Sequence, residues 1–391
     1  MKDSPRIASD SLSALFTRVE KGAARAGCAA QVAIAVDGEL VGFRTFGRAR
    51  HGDGREREAD DLTLFSLFSV TKAMTSAAFW ILLQEERLAL SDPVVKHIPE
   101  FGSHGKEDVR VEQLLTHTSG FPEAQLPAED WDDVSLRLQH FANWRLDWEP
   151  GSRFVYHGGA SMWVLAELIT RIAGVDYREF IRSRIFEPLG LSNLFVGLPP
   201  NQHSRVADVV VVGEPATDDQ RAASPVDAPV IGEATLGHAN RAKNREAGSP
   251  GGGAIGNASD VALFYQGLMA DAEARGKGIW QPGMLRDAWT ARNPEFIDPM
   301  TGHAALRGLG VVLAGENDKM WRGFAEDCSP RTFGHMGAGG QISWADPTSR
   351  LSFSFCTNGA ERNPARQGAN GFRLSSLAAA CVSTVDGGRV R

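Results

Sequence analysis

A serine and a lysine three positions apart could together form an acylation site. Residues 65–72 contain Ser69 and Lys72 and run directly into an apolar segment that ends at Leu83. If a helix begins near Ser69, Lys72 lies one turn later on the same face, beside the serine hydroxyl. A serine hydroxyl needs an adjacent base to become a nucleophile, and a lysine amine can serve if burial or a second cation makes it less basic. The spacing therefore indicates acyl transfer on Ser69; the alternative is a capping serine and a surface lysine.

A tyrosine is the third candidate for the site. Of the three tyrosines, Tyr177 and Tyr265 lie in amphipathic helical patterns, whereas Tyr156 lies on a glycine-flanked loop. A phenol beside an ammonium group can carry a proton as general acid or base. The alternative is a half-buried tyrosine whose hydroxyl is merely hydrogen-bonded. His117, between two threonines at a predicted helix end, is interpreted as structural and not catalytic.

Length and composition limit the function classes. The chain has 391 residues, more than one core usually supports, so two domains are expected. The net charge of -7 is spread over scattered acids and bases, which argues against a nucleic-acid partner. The four cysteines form no C-x-x-C pair, and no histidines have metal-binding spacing, so we expect no cofactor and no metal. The cysteines are interpreted as buried thiols of a reducing compartment.

The sequence gives no sign of membrane association. The first residues lead into polar sequence and not into an apolar signal segment, and no apolar run approaches the ~20 residues that a membrane span needs. We therefore expect a cytoplasmic protein that acts on a small molecule. The oligomeric state does not follow from the sequence.

The strand patterns lie near the two ends of the chain. Residues 31–36 and 39–46 read as two strands joined by the tight turn Asp37-Gly38. Residues 333–340 read as a strand that continues over residues 341–346. Residues 351–356 read as its partner strand after a turn at residues 347–350, and a helix over residues 371–382 follows. We therefore predict an α+β fold with one antiparallel sheet, built from both termini, flanked by helices and interrupted by a mostly helical domain.

This pattern predicts a division into two domains with the active site between them. The α/β domain with the antiparallel sheet comprises residues 1–85, 175–225 and 295–391. The mainly helical domain comprises residues 86–174 and 226–294. Within it, Trp148 could wall a substrate pocket, although plain core packing explains a tryptophan there equally well.

Residues 251–256 fit the pattern G-x-G-x-x-G, but a dinucleotide site requires a strand immediately before it. The preceding segment, 241–250, is polar and basic. We interpret the glycines as a turn that lets the backbone approach the site, with Ser259 capping a helix over residues 261–269. Residues 206–212 are predicted as a strand, and residues 213–244 as an irregular excursion.

Five motifs, taken in order and with their spacing, resemble the serine β-lactamase and penicillin-binding-protein superfamily, in the branch of class C β-lactamases and family VIII carboxylesterases. The resemblance spans about residues 31–358. The matching motifs are S-x-x-K at Ser69 and Lys72, L-L-T-H-T-S-G at residues 114–120, E-P-G at residues 149–151, the Y-x-N loop at Tyr156, and the H-x-G that replaces K-T-G in many esterases at His335.

The resemblance implies a role for each matching residue. Ser69 would be the acylated nucleophile, Lys72 its partner, and Tyr156 the proton shuttle. The backbone N–H groups of Ser69 and Ala338 would form the oxyanion hole. This agrees with the residue patterns, because free donors are expected at a helix N-terminus and at a glycine-flanked strand edge.

Two positions depart from the motifs. Gly158 stands where the family has asparagine, and His335 stands where it has lysine. Asparagine would hydrogen-bond an amide, and lysine would attract the carboxylate of a β-lactam or of a peptide terminus. We expect these two residues, together with Gly337 and Trp148, to contact the substrate; the sequence gives no role to His157.

The resulting prediction is a serine carboxylesterase that cleaves short-acyl esters through an acyl-enzyme on Ser69. Two alternatives stay open: an acyltransferase or an amide or β-lactam hydrolase of the same superfamily, and a non-catalytic binding protein on the same scaffold. Intact Ser69, Lys72 and Tyr156 argue against the binding protein.

Overall fold

A six-stranded sheet forms the centre of the protein. The structure, a computed structural model, describes residues 6–219 and 233–383. Every neighbouring pair of strands in the sheet is antiparallel. In chain order the strands are β1 (Ala30–Val36), β2 (Glu39–Phe46), β3 (Val312–Leu313), β4 (Phe333–Met336), β5 (Ile342–Asp346) and β6 (Leu351–Thr357). Across the sheet the order is β3-β4-β5-β6-β1-β2, so strands from the two ends of the chain meet at β6 and β1. This confirms the predicted antiparallel sheet.

The hairpin of β1 and β2 turns at Asp37 and Gly38, as the sequence predicts. Both residues have positive φ, 53° and 91°. Two consecutive left-handed residues match the right-handed twist of the flanking strands, and Asp-Gly adopts them at little cost. The turn therefore sets the register of β2 against β1, with Val36 opposite Glu39.

Helices cover both faces of the sheet. The long helices are α1 (Ser9–Ala26), α2 (Thr71–Gln84), α3 (Val134–Asn143), α4 (Ala160–Ala173), α5 (Ala258–Ala272) and α6 (Pro364–Ala379). Side chains alternate along β1, so Val32 and Ile34 pack in one core with α1 and α6, whereas Ala33 and Ala35 belong to the core on the face of α5. The sheet is therefore buried on both faces.

Helix α2, which follows the candidate nucleophile, is the most buried helix. All of its residues from Thr71 to Leu82 are buried. A helix that is apolar on every side belongs in the interior, which explains why its sequence lacks an amphipathic pattern. It packs against α4, and Trp80 donates a hydrogen bond to the Leu309 carbonyl oxygen. Helix α2 is therefore anchored in the interior by packing and by this hydrogen bond near its C-terminal end.

Shorter elements complete the described chain. The short helices are Val111–Leu115, Tyr177–Ile181, Glu187–Leu189, Glu233–His238, Ala242–Ala247 and Pro282–Ala288, and a π-helical turn spans Arg182–Phe186. The 3-10 turns are Phe68–Val70, Val94–Lys96, Pro99–Phe101, Lys106–Asp108, Ala128–Asp130, Pro200–Arg205 and Lys319–Arg322.

Small sheets join distant segments. Phe65–Ser66 and Leu194–Val196 flank Ala254–Gly256 in a three-stranded sheet. The two-stranded pairs are Arg6–Ile7 with Val382–Ser383, Arg48–Arg50 with Glu56–Glu58, Val210–Val212 with Gly359–Glu361, and Ile297–Asp298 with His303–Ala304.

Four local predictions were wrong at element ends. The strand predicted to continue from residue 333 to residue 346 is two strands, β4 and β5, because the chain turns at Gly337, whose amide donates to the Gln341 carbonyl oxygen. Helix α6 begins at Pro364 and not at residue 371, because Asn363 caps it by accepting hydrogen bonds from two backbone N–H groups and proline fits the first helical turn. Asn257, and not Ser259, caps α5. The strand predicted over residues 206–212 is reduced to Val210–Val212. The predicted irregular excursion over residues 213–244 lies partly outside the described residues, and its described part is wrong where it forms the helix Glu233–His238.

The predicted division into two domains stays a prediction. One feature bears on it: α5 packs against β1 and β6, although the predicted boundaries assign residues 226–294 to the helical domain. Among the described residues, no helix is both long and apolar enough to cross a membrane. All four cysteines are buried and unpaired.

Candidate active site

Ser69 lies in a strained 3-10 turn directly before α2. Phe68 has φ of 47°, which is unusual for a side chain of its size. Thr71 holds the turn in place: its hydroxyl donates to the Phe68 carbonyl oxygen at 2.6 Å and accepts from the amide of Ala254 at 3.0 Å. The chain around the serine is therefore fixed by α2 and by a neighbouring strand.

Lys72 is completely buried, which excludes its interpretation as a surface lysine. Its Nζ lies 3.2 Å from Oγ of Ser69 and donates to the carbonyl oxygens of Gly158 and Gly251, each at 2.7 Å. An ammonium group has three hydrogens, so these three partners use its whole donor capacity. Because two of the N–H groups bind backbone carbonyls, the third is oriented towards the hydroxyl of Ser69.

The glycine-rich turn approaches the site closely, as the sequence predicts. A Cβ on Gly251 would lie 2.8 Å from the Gly158 carbonyl oxygen and 3.4 Å from Nζ of Lys72. A side chain at this position would therefore displace the lysine or its carbonyl partner. The glycine is required for packing against the lysine, and no nucleotide site is needed to explain it.

Tyr156 completes a cluster of three side chains. Its hydroxyl lies 2.9 Å from Oγ of Ser69, and its ring centroid lies 5.0 Å from Nζ of Lys72. The structure therefore brings together the three residues that the sequence singles out for catalysis. Such a cluster can pass a proton between the serine, the amine and the phenol.

Two buried histidines support Tyr156 from behind. The ring of His117 lies 4.8 Å from the tyrosine ring, and its Nδ1 accepts a hydrogen bond from the amide of His157. Nε2 of His157 in turn accepts from the amide of Phe121. Burial lowers the pKa of His117 well below its usual value and that of His157 to about 4, so both rings are neutral. These contacts agree with a structural role for His117.

His335, at the lysine position of the family motif, is also a neutral ring. Its Nδ1 lies 2.7 Å from the Met336 carbonyl oxygen, which can only accept, so Nδ1 carries the proton. Burial, then the charges of Lys72 and Arg307, hold the pKa of His335 well below its ordinary value. Its ring centroid lies 6.0 Å from that of Tyr156. An uncharged imidazole therefore stands where the family motif has a cation.

The turn after β4 lies against the serine turn. A Cβ on Gly337 would lie 2.7 Å from the Leu67 carbonyl oxygen, and one on Gly339 would lie 2.8 Å from the Phe68 ring. Glycine is required at both positions for this close approach. Within the described residues, the backbone amides of Ser69 and Ala338 have no acceptor. Two free N–H groups on adjoining turns are the arrangement that an oxyanion hole needs.

The two remaining predicted site residues differ in their distance from the cluster. Gly158 is exposed, and its carbonyl oxygen is bonded to Lys72. Trp148 packs beside His157, with 6.5 Å between ring centroids, and the Arg153 guanidinium lies over its indole. The tryptophan therefore lies behind the loop of Tyr156, and its contact with a substrate stays a prediction.

Arg307 lies at the site although sequence reasoning did not find it. Its guanidinium lies 5.6 Å from the ring centroid of Tyr156 and 5.5 Å from that of Phe154, and it pairs with Asp298 at 3.4 Å. The residue stands in a loop far from every motif, and an isolated arginine gives no signal in a single sequence. Only the packing of this loop against the tyrosine reveals it.

Comparison with known proteins identifies relatives of the chain. The family model described as Beta-lactamase matches residues 14–378. A β-lactamase of Yersinia enterocolitica is 30% identical over 47% of this chain and 46% of its own length, so the match spans about half of that relative. A putative D-alanyl-D-alanine carboxypeptidase of Escherichia coli K12 is 27% identical over 82% of this chain and 76% of its own length.

Solved structures share the whole fold. A penicillin-binding-protein homologue from Caulobacter crescentus has a TM-score of 0.77 and 26% identity, covering 97% of this chain and 100% of its own. A family VIII carboxylesterase has a TM-score of 0.73 and 22% identity, covering 95% and 96%, which shows a common fold only. Because the family model covers nearly the whole described chain, the protein belongs to the Beta-lactamase family.

Proposed function

We propose that the protein is a serine carboxylesterase that cleaves short-acyl esters through an acyl-enzyme on Ser69. Membership of the Beta-lactamase family makes it a hydrolase of that fold, and the ester preference is the proposal. One observation carries it: Oγ of Ser69 lies within hydrogen-bond distance of both Lys72 Nζ, at 3.2 Å, and the Tyr156 hydroxyl, at 2.9 Å. A nucleophile with two proton-transferring neighbours can be acylated and then released.

The reaction follows from this arrangement. Ser69 loses its proton to Lys72 or Tyr156 as Oγ attacks the ester carbonyl, and the amides of Ser69 and Ala338 would stabilise the oxyanion. The proton then passes to the leaving alcohol. A water molecule, deprotonated by the same groups, attacks the acyl-enzyme, and the carboxylic acid leaves as Ser69 regains its proton.

The neutral His335 and the side-chain-free Gly158 support esters over β-lactams and peptides. An uncharged, buried imidazole does not attract a substrate carboxylate as a lysine ammonium does. Gly158 offers no side-chain amide to hydrogen-bond the amide group of such substrates. An ester without a carboxylate needs neither interaction.

Hydrolysis of p-nitrophenyl acetate, p-nitrophenyl butyrate and the cephalosporin nitrocefin tests the preference. We expect turnover of both esters and little or none of nitrocefin. Equal kcat/KM values for nitrocefin and the esters would contradict it. Hydrolysis of β-lactams or peptides is the second candidate activity, and it is favoured by the names of the relatives, β-lactamase and carboxypeptidase.

Covalent labelling separates an enzyme from a binding protein on the same scaffold. A fluorophosphonate probe reacts with an activated serine, so intact-mass spectrometry should show one addition, located on Ser69 by peptide mapping. A chain that stays unlabelled after long exposure would favour the binding protein. An acyltransferase would label as well, but added short alcohols would then raise the yield of transfer product above that of hydrolysis.

A further inference from the structure

A second cleft lies between α1 and α6, at the end of the sheet, separate from Ser69. Its volume is about 290 Å³, near the lower end of the range of volumes found for small-molecule binding sites. Its floor is apolar and formed by Val19 and Ala23 of α1, Ala30 and Phe355 of the sheet, and Leu374 of α6. Gly22 contributes no side chain, which keeps the helix side open. The floor could accept a hydrocarbon group.

The rim of the cleft carries an uncompensated positive charge. Arg18 and Arg25 of α1 and Arg373 of α6 line it, and none of the three pairs with an acidic side chain of the described residues. Among the residues that the structure describes, Arg18 donates only to the side-chain oxygen of Asn370, at 2.7 Å. Desolvation, then the charges of Arg25 and Arg373, lower the pKa of Arg18, so the guanidinium group of Arg18 is repelled by both of the others. An anion between them would relieve that repulsion.

The rest of the rim does not neutralise these arginines. The acidic side chain in the wall, Glu361, is engaged: it lies 3.3 Å from Arg366 and accepts from the amide of Asn363. In a chain of net charge -7, three unpaired arginines around one cleft point to an anionic ligand. Their planar donor groups suit a carboxylate.

The cleft reaches the back of the turn that carries Ala338. Gly339 and Gly340 form part of its wall. Gln367, another wall residue, donates from Nε2 to the Ala338 carbonyl oxygen at 3.2 Å. A ligand in the cleft would therefore contact the segment that presents one of the two free amides at Ser69.

We propose that this cleft binds a carboxylate with a hydrocarbon tail, the carboxylate between Arg18, Arg25 and Arg373 and the tail on the apolar floor. The ligand is not the product of the proposed function, because short-acyl esters release carboxylates with little or no hydrocarbon tail. Binding itself does not depend on activity.

Calorimetric titration of octanoate tests the proposal, with Ser69 first blocked by the fluorophosphonate probe, or replaced in Ser69→Ala if the probe does not react. We expect one saturable site for octanoate and weaker binding of both acetate, which lacks the tail, and octanol, which lacks the charge. In the double variant Arg18→Gln/Arg373→Gln the affinity should fall by about tenfold or more. No binding to the blocked protein, or equal binding of octanol, would overturn the proposal.

A second variant blocks the cleft without removing charge. Gly22→Leu places a side chain over the floor, where a Cβ meets only Arg18, at 3.8 Å. Gly368→Leu, on α6 with no atom within 4 Å of its Cβ, is the matched control. Octanoate binding should be lost in the first variant and kept in the second, and the reverse would overturn the proposal. If the variant Arg18→Gln/Arg373→Gln does not fold, the comparison of Gly22→Leu with Gly368→Leu tests the proposed site by itself. Failure to hydrolyse esters counts against the proposed function and leaves these binding results valid.

Discussion

The hydroxyl of Tyr156 lies 2.9 Å from Oγ of Ser69, although 87 residues separate the two in sequence. Lys72 approaches the same oxygen, while two backbone carbonyls hold two of its hydrogens. The remaining bonding position of Nζ therefore faces Ser69. It carries a hydrogen when the lysine is an ammonium group and a lone pair when it is a neutral amine. The geometry allows Lys72 or Tyr156 to take the serine proton, and the variants below separate them.

Ser69→Ala should abolish ester hydrolysis while the fold persists, because the change removes one hydroxyl and no large apolar volume. The measurement is p-nitrophenyl butyrate turnover together with thermal unfolding. Ser66→Ala is the matched control, since it removes a buried hydroxyl that has no partner in the described chain. Turnover of the Ser69 variant within about tenfold of the native enzyme, a barrier change of only ~1.4 kcal/mol, would place the nucleophile elsewhere.

Lys72→Ala should be nearly as damaging to the rate, because residues that act as a unit have non-additive effects. It should also destabilise the protein, unlike the serine variant. The buried carbonyl oxygen of Gly251 would lose its donor, and a buried unsatisfied group costs about 1–3 kcal/mol, whereas the exposed Gly158 can be solvated. Urea unfolding measures this cost. Native stability in Lys72→Ala would mean that the lysine does not hold the two loops together.

Much of this site could be predicted because its determinants are local. Ser69 and Lys72 are neighbours through one helical turn, so their spacing alone indicates their contact. The sheet was also predictable, since alternation and the Asp37-Gly38 turn act over a few residues. Tyr156 was predicted to lie at the site because the other two tyrosines were assigned to helices and because its motif resembles that of the family.

The rest depends on tertiary packing. Arg307 lies over the tyrosine ring because its loop folds against β3 and α2, and no short-range pattern encodes that contact. The start of α6 was missed because its first turns are polar and exposed, with Asn363 as the signal that should have been used. The neutral state of His335 follows from burial, which a single sequence does not specify.

Tyr156→Phe should leave stability almost unchanged and lower the rate by ~10² to 10⁴, the usual contribution of a general acid or base. The ring keeps its packing against His117 and loses only its titratable hydroxyl. Pre-steady-state kinetics should show both acylation and deacylation slowed. Near-normal ester kinetics would assign the proton transfer to Lys72 alone.

The protein should lose stability as the pH falls from about 6.5 towards 4. Burial lowers the pKa of His157 from 6.5 to about 4, so the folded state binds a proton less readily than the unfolded state. The resulting stability is complete above pH 6.5 and declines below it, by on the order of 3 kcal/mol for this one ring. Urea unfolding at pH 7 and pH 4.5 measures the decline. His157→Gln should reduce the decline by about this amount, because burial also lowers the pKa values of His117 and His335 and these rings stay in place. His238→Gln, an exposed control, should leave the decline unchanged.

Gly158→Asn asks whether a missing side-chain amide disfavours β-lactams and amides. The substitution should fold normally, because the backbone of Gly158 is not in the left-handed region and a Cβ there meets no atom within 4 Å. One added hydrogen bond of ~0.5–1.5 kcal/mol should raise nitrocefin or amide turnover by at most about tenfold. Esters have no amide for this group to bind, so their kcat/KM should stay constant. The ratio of nitrocefin to ester kcat/KM is therefore the measurement, with Gly158→Ala as the control that adds a side chain without an amide. An equal rise of this ratio in both variants would show that loop conformation, and not the amide hydrogen bond, sets the preference.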